Sequence, residues 1–318
     1  MKKVLLVVVS LLFLVGIFYF WLVLKPVGTG EEKVFVVNQG ESTISTAQKL
    51  EQQKIIRSRW LFLICLHLQG ERGKIQAGSF RLSPMDSLPT IIRKLKRGRL
   101  DVWLTLIEGW RREQIAEKVE EKLAIPKKEF LAASRGEEGY LFPDSYLVPV
   151  GTSAEGVVSL LKKNFQEKWQ LVWPDVSKRD PSKNQILILA SLVEREAKIG
   201  KDRPIVAGIL FKRWRSGWPL QVDATIQYAK ANLQTEGGTD WWRPITRKDL
   251  SIKSLYNTYS HQGLPPTPIC NPSLASIRAV VSYQPSDYWF YVSDKSGKIH
   301  FAKTLAEHEQ NIKEFLIY

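Results

Sequence analysis

Two glutamates, Glu194 and Glu196, stand one residue apart in Leu192-Val193-Glu194-Arg195-Glu196, at the end of an otherwise apolar stretch. A carboxyl held against an apolar helix face loses water and keeps its proton to higher pH. Moving a glutamate from about 4.3 to about 6 favours the neutral form by about 2.3 kcal/mol, which suits a general acid near neutrality. Glu194 shares a helix face with Leu187 and Ala190, and Glu196 shares one with Leu189 and Leu192, because separations of four and seven residues return to nearly the same angle. Periodicity does not choose between them. Glu194 also has a plainer use, an ion pair with Lys198 at i,i+4 on a wet helix end.

Other chemistries find little support. The four histidines, His67, His261, His300 and His308, form no HExxH pattern, and neither a GxSxG elbow nor a P-loop occurs. Metal, serine-nucleophile and nucleotide chemistry are therefore disfavoured. Downstream of the acids lie Pro219–Tyr228, Tyr256-Asn257-Thr258-Tyr259 and Gly263-Leu264-Pro265-Pro266, rich in uncharged polar and aromatic groups, with Trp214, Trp218, Trp241 and Trp242 nearby. Such groups suit a sugar, planar rings stacking on pyranose faces and amides or hydroxyls meeting its OH groups. Each aromatic alone is equally suited to a core.

The acids need a rigid support, and the spacing predicts a buried central helix over about Lys183–Lys198, apolar nearly all round. Before it, a strand at Val102–Leu106, a turn at Glu108-Gly109-Trp110 and a helix from about Arg112 to Leu123 open a large α+β domain spanning 101–318. Upstream, a strand at Lys33–Val37, helices at about Ile44–Leu50 and Ser58–Leu68, a strand at Gly78–Leu82 and a helix from Ser87 through Leu95 form a smaller α+β module over 33–100. That size suits binding or positioning. Residues 26–32 form a short tether.

The chain opens with Lys2-Lys3 and then an uncharged run, Val4–Leu24, closing on Phe18-Tyr19-Phe20-Trp21 before Lys25. As a helix this run reaches about 31 Å, enough to span a hydrocarbon core of about 30 Å. It is longer than a cleaved signal's apolar region and lacks a small-x-small cleavage site, so a retained single-pass anchor is expected over residues 1–25. The lysines keep the short tip in the cytoplasm and send the remainder outside a cytoplasmic membrane.

Of 318 residues, 44% are hydrophobic, enough for one large or two modest cores, and the net charge is +14. That charge suits nucleic acid, anionic lipid or an acidic cell-wall polymer, and the expected topology removes nucleic acid. Apart from Arg93-Lys94-Leu95-Lys96-Arg97-Gly98-Arg99, the basic residues are scattered, as on an ordinary solvated surface. Cys65 and Cys270 suggest neither a disulfide framework nor a zinc ribbon, although one bridge between them is possible.

Several motifs in order carry a resemblance. Leu189–Glu196, Gln221-x-Asp223-x-Thr225, Tyr256–Tyr259 with Gly263–Pro266, Glu138–Tyr146, Tyr288-x-Phe290-Tyr291-Val292 and His300-Phe301-x6-His308 resemble the YceG-like endolytic murein transglycosylases from about residue 33 onward. Two positions depart from the pattern: Leu255 stands where proline is usual, and Tyr283-Gln284 replaces Asn-Pro. The resemblance implies a LysM-like small module, Glu194 as the catalytic acid, and Gln221, Asp223, Thr225, Asn257 and Tyr259 along a substrate groove. It implies cleavage of the β-1,4 bond between N-acetylmuramic acid and N-acetylglucosamine in nascent peptidoglycan strands, leaving 1,6-anhydro ends and terminating elongation beside peptidoglycan synthases. The reaction so implied requires no metal or organic cofactor. The alternatives are a non-catalytic glycan-binding scaffold and a hydrolase pairing Glu194 with Asp223.

Overall fold

The computed structural model describes residues 25–38, 40–68, 75–97, 100–172, 180–233 and 240–316. The expected anchor Val4–Leu24 lies outside them, as do Gly98 and Arg99 of the basic run. No described helix is long and apolar enough to cross a membrane. The chain divides into two compact units, one of residues up to Trp103 together with Tyr146–Thr152, the other of Leu104–Ser145 and Ser153 onward.

In the small unit, β1 (Lys33–Val37) pairs antiparallel with β2 (Gly78–Leu82), placing Phe35 opposite Phe80. Between them run α1 (Thr43–Gln52), whose first turn is capped by the Ser42 hydroxyl accepting from Ser45 N–H, and α2 (Arg59–Leu68). The helix α3 (Leu88–Arg97) follows β2. Its Leu88, Ile91, Ile92 and Leu95 close a core around Phe35, Leu50, Phe62, Phe80 and Leu82. Burial of each such side chain contributes about 1.5–3 kcal/mol. The tether is fixed to this unit: Arg57 donates to the carbonyls of Pro26 and Val27 at 2.9 and 3.0 Å, and Val27 N–H donates to Pro84 at 2.9 Å.

The unit also takes in a segment from forty residues beyond it. Val150 N–H donates to Leu100 O at 3.1 Å, and the Ser79 hydroxyl donates to the Val150 carbonyl. Strands β3 (Asp101–Thr105) and β4 (Ser145–Pro149) pair with each other, and the division between the units cuts both.

The large unit is built around α7 (Lys183–Glu196), preceded by α4 (Arg112–Leu123), α5 (Lys127–Ala133) and α6 (Ala154–Gln170). A capping box starts α7: Ser182 accepts from Gln185 N–H, and the Gln185 side chain accepts from Ser182 N–H. Every residue from Ile186 to Val193 is buried, because α7 touches α8 (Arg203–Arg215), α9 (Asp223–Asn232) and α10 (Leu274–Val281) on its several sides. It stops two residues sooner than the spacing predicts, as Ala197 turns to extended backbone. Antiparallel strands β5 (Phe290–Ser293) and β6 (Ile299–Ala302) follow, with α11 (Leu305–Phe315) packed on them. Cys65 and Cys270 are free and buried.

Candidate active site

A cavity of about 650 Å³ opens beside the C-terminal end of α7, lined by Glu196, Arg213, Gln221, Asp223, Tyr259 and Tyr291 among others. That volume falls in the usual range for ligand sites. Glu196 is only partly accessible. The Tyr291 hydroxyl donates to its Oε2 at 3.1 Å, and the Ala224 amide, in the first turn of α9, donates to its carboxyl. Because Val222 precedes α9 and offers no side-chain cap, Glu196 caps that helix from another element.

Opposing influences act on this carboxyl. Burial, followed by the negative charge of Asp223, raises its pKa to about 7, against the lowering effects of Tyr291, the Ala224 amide and Arg195. Burial and Glu196 likewise hold the Tyr291 phenol far above its ordinary range. Asp223 is exposed and accepts from the Tyr259 hydroxyl. Arg213, 5% exposed, is locked by donating to Trp289 O at 2.8 Å and Leu220 O at 2.7 Å.

Gln221 holds a left-handed backbone, φ 54°, which a side chain adopts only under constraint. Thr258 supplies that constraint. Its carbonyl accepts from Gln221 N–H at 3.1 Å, its hydroxyl accepts from Val222 N–H at 3.0 Å, and the Thr225 hydroxyl lies 2.9 Å from it. The strained loop sets Gln221 and Asp223 on the cavity wall.

A model of the YceG-like family matches residues 35–314. The chain belongs to the YceG-like family. The endolytic murein transglycosylase of Bacillus subtilis is 28% identical over 325 residues, covering 92% of this chain and 88% of that protein. That of Streptococcus pneumoniae strain R6 is 25% identical over 334 residues, covering 92% of this chain and 60% of its own length. A crystal structure of a yceG-like protein from Listeria monocytogenes superposes with a TM-score of 0.60 at 26% identity, over 89% of this chain and 99% of that one.

Within this YceG-like fold the residues expected in the groove separate into two groups. Gln221, Asp223 and Tyr259 line the cavity. Thr225 and Asn257 do not, being 0% exposed. The Thr225 hydroxyl is engaged by Val222 O and Thr258, while the Asn257 amide donates to Leu250 O and Ile252 O and accepts from Tyr259 N–H. Their side chains support the Gln221–Asp223 and Tyr256–Tyr259 segments from within the fold.

Glu194, expected as the acid, is not among the cavity residues. Its side chain is 5% exposed and accepts three bonds: Arg203 Nη2 donates to Oε1 at 3.1 Å, and the amide and hydroxyl of Ser273 donate to Oε2 at 2.8 and 2.5 Å. The i,i+4 pair with Lys198 is replaced by this network. Burial, with a contribution from Glu194's charge, raises the pKa of Glu108.

Other family motifs turn out to be scaffold. Asn271, fully buried, accepts from Gly139 N–H and Leu141 N–H, each at 2.9 Å, and donates to Trp110 O and Glu138. Tyr291 and Arg213 were not singled out as site residues by sequence. The Phe290-Tyr291-Val292 motif was the available signal for the first, and nothing in the sequence pointed to the second.

Proposed function

We propose that the chain is an endolytic murein transglycosylase using Glu196 as its single acid and then base. The name shared by its relatives supports the reaction class, and one observation carries the residue assignment. Glu196 is a carboxyl on the cavity wall whose proton is retained to about pH 7. Glu194 is held instead by Arg203 and Ser273 and does not line that cavity.

Protonated Glu196 gives its proton to the glycosidic oxygen as the C1–O bond of the muramoyl residue breaks, so the N-acetylglucosamine side departs as a neutral 4-hydroxyl. Positive charge develops at C1, where the nearby negative charge of Asp223 stabilises it. The muramoyl 6-hydroxyl then bonds to C1, and the Glu196 carboxylate takes its proton, restoring the acid and leaving a 1,6-anhydro end. No water is consumed. Such acid–base assistance is worth about 10²–10⁴-fold in rate.

A second reading, hydrolysis, is favoured by the exposure of Asp223 beside Glu196, since an inverting glycosidase uses a second carboxylate to activate water. Mass analysis of products from purified glycan strands separates the two: anhydro ends support the lyase and reducing ends the hydrolase. Intact strands would leave only the scaffold.

In the same reading, Val4–Leu24 anchors the protein in the cytoplasmic membrane, with the working units outside and peptidoglycan synthases as neighbours. The β-α-α-β order of the small unit supports a LysM-like role in holding glycan. Extraction of membranes with alkaline carbonate tests the anchor, which predicts retention in the pellet.

A further inference from the structure

The helix α2 breaks the rule that a surface helix is apolar on one face and polar on the other. Its inner side, Phe62, Cys65 and Leu66, is buried in the small unit's core. Its outer side carries Trp60, Ile64 and Leu68, exposed by 64, 47 and 72%. These three recur every fourth residue and so form one continuous stripe. The neighbouring α3 keeps the rule, burying Leu88, Ile91, Ile92 and Leu95 and exposing Arg93 and Arg97. An apolar helix face of this kind calls for a second apolar phase.

The identity of that phase follows from where the chain leaves the unit. Arg57, two residues before α2 begins, holds the carbonyls of Pro26 and Val27. Two residues of chain, at most about 7 Å, separate Pro26 from Leu24, the end of the 21-residue uncharged run. The described chain at Pro26 is therefore held by a residue three positions before Trp60, where the stripe starts. Pro84, whose carbonyl accepts from Val27 N–H, is followed by exposed Met85. Lys54, Arg57 and Arg59 cluster at this end in sequence, and Arg59 lies 5.2 Å from the Trp60 ring. Cationic side chains next to an aromatic and aliphatic stripe match an anionic bilayer surface, with the charges at the headgroups and the stripe among the acyl chains.

We infer that α2 lies in the outer surface of the bilayer, its Trp60–Ile64–Leu68 face buried in lipid, so that the small unit is seated on the membrane instead of swinging from a tether. This rests on the anchor reading of Val4–Leu24.

The test uses the full chain reconstituted into vesicles of phosphatidylethanolamine and phosphatidylglycerol. Trp60→Cys, Ile64→Cys and Leu68→Cys each carry an environment-sensitive fluorophore, with the unsubstituted chain correcting for labelling of the buried Cys65 and Cys270. At all three positions a blue shift is expected, with loss of most emission when acyl chains carry a spin-label quencher. If the chain floats with the vesicles but the labels emit as in water, the seating is wrong and the anchor stands. If the labels are shielded yet insensitive to the lipid quencher, a protein surface covers the stripe and the proposal fails. If the chain does not float, the anchor reading falls and the proposal with it.

Discussion

Glu194 and Glu196 are separated by a single residue yet point about 200° apart around α7, one into an ion pair with Arg203 and the other onto the cavity wall beneath Tyr291. Two glutamine substitutions therefore test different things. Glu196→Gln is expected to reduce glycan cleavage by about 10²–10⁴-fold while the fold persists. Glu194→Gln is expected to lower stability by about 1–3 kcal/mol, because Arg203 loses its buried counter-charge. Product yield from glycan strands and denaturant midpoints, measured on both variants, check the pair. Full activity of Glu196→Gln would remove that residue from the reaction.

The same carboxyl should be visible in the pH dependence of stability. Below about pH 4.5 it is protonated in folded and unfolded chains alike. Above that the unfolded chain releases the proton first, so the folded state loses stability as pH rises to about 7, the folded pKa, and no further from this group. Glu138, raised by burial to about 8, acts in the same direction. The difference between wild type and Glu196→Gln isolates the first contribution: melting temperatures from pH 5 to 8 should fall less in the variant.

Activity should decline on the alkaline side with an apparent pKa near 7 as Glu196 loses its proton. Asp223 raises that pKa, so Asp223→Asn is expected to shift the alkaline limb to lower pH. Tyr291 lowers it by donating to the ionised form, so Tyr291→Phe is expected to shift the limb to higher pH, with about a tenfold loss or less in the maximal rate. Rate profiles for the two variants moving in the same direction would contradict the assignment of Glu196.

Asn271 is expected to matter for stability instead of chemistry. Its replacement by alanine strands the buried amides of Gly139 and Leu141, both of which its side-chain oxygen now satisfies, while the Trp110 carbonyl keeps the backbone amide of residue 271 as donor. A loss of about 3 kcal/mol or more is expected, read as a drop in the urea midpoint.

Much of the local structure was legible from spacing. The strands Lys33–Val37 and Gly78–Leu82 and the helix Arg112–Leu123 have the bounds expected from the sequence. The choice between the two acids was not legible, because four- and seven-residue periods give each an apolar face. The two carboxyls differ in partners that lie far away in sequence: Ser273, seventy-nine residues from Glu194, and Tyr291, ninety-five from Glu196. At Thr225 and Asn257 residue type had two readings, because hydroxyls and amides that suit sugars are equally needed to satisfy buried backbone, and both side chains bond buried backbone here. The pairing of β3 with β4 joins segments some forty residues apart, a separation that local pattern does not bridge.

The amide that caps Glu196 has a dynamic consequence. A neutral carboxyl gains little from the positive end of α9, whereas a carboxylate gains more. In the proposed reaction, as the hydrogen ion drifts toward the sugar, the backbone dipole tightens its hold on the oxygens left behind. The anion that must wait for the second half-reaction is steadied by a helix end that need not move to receive it.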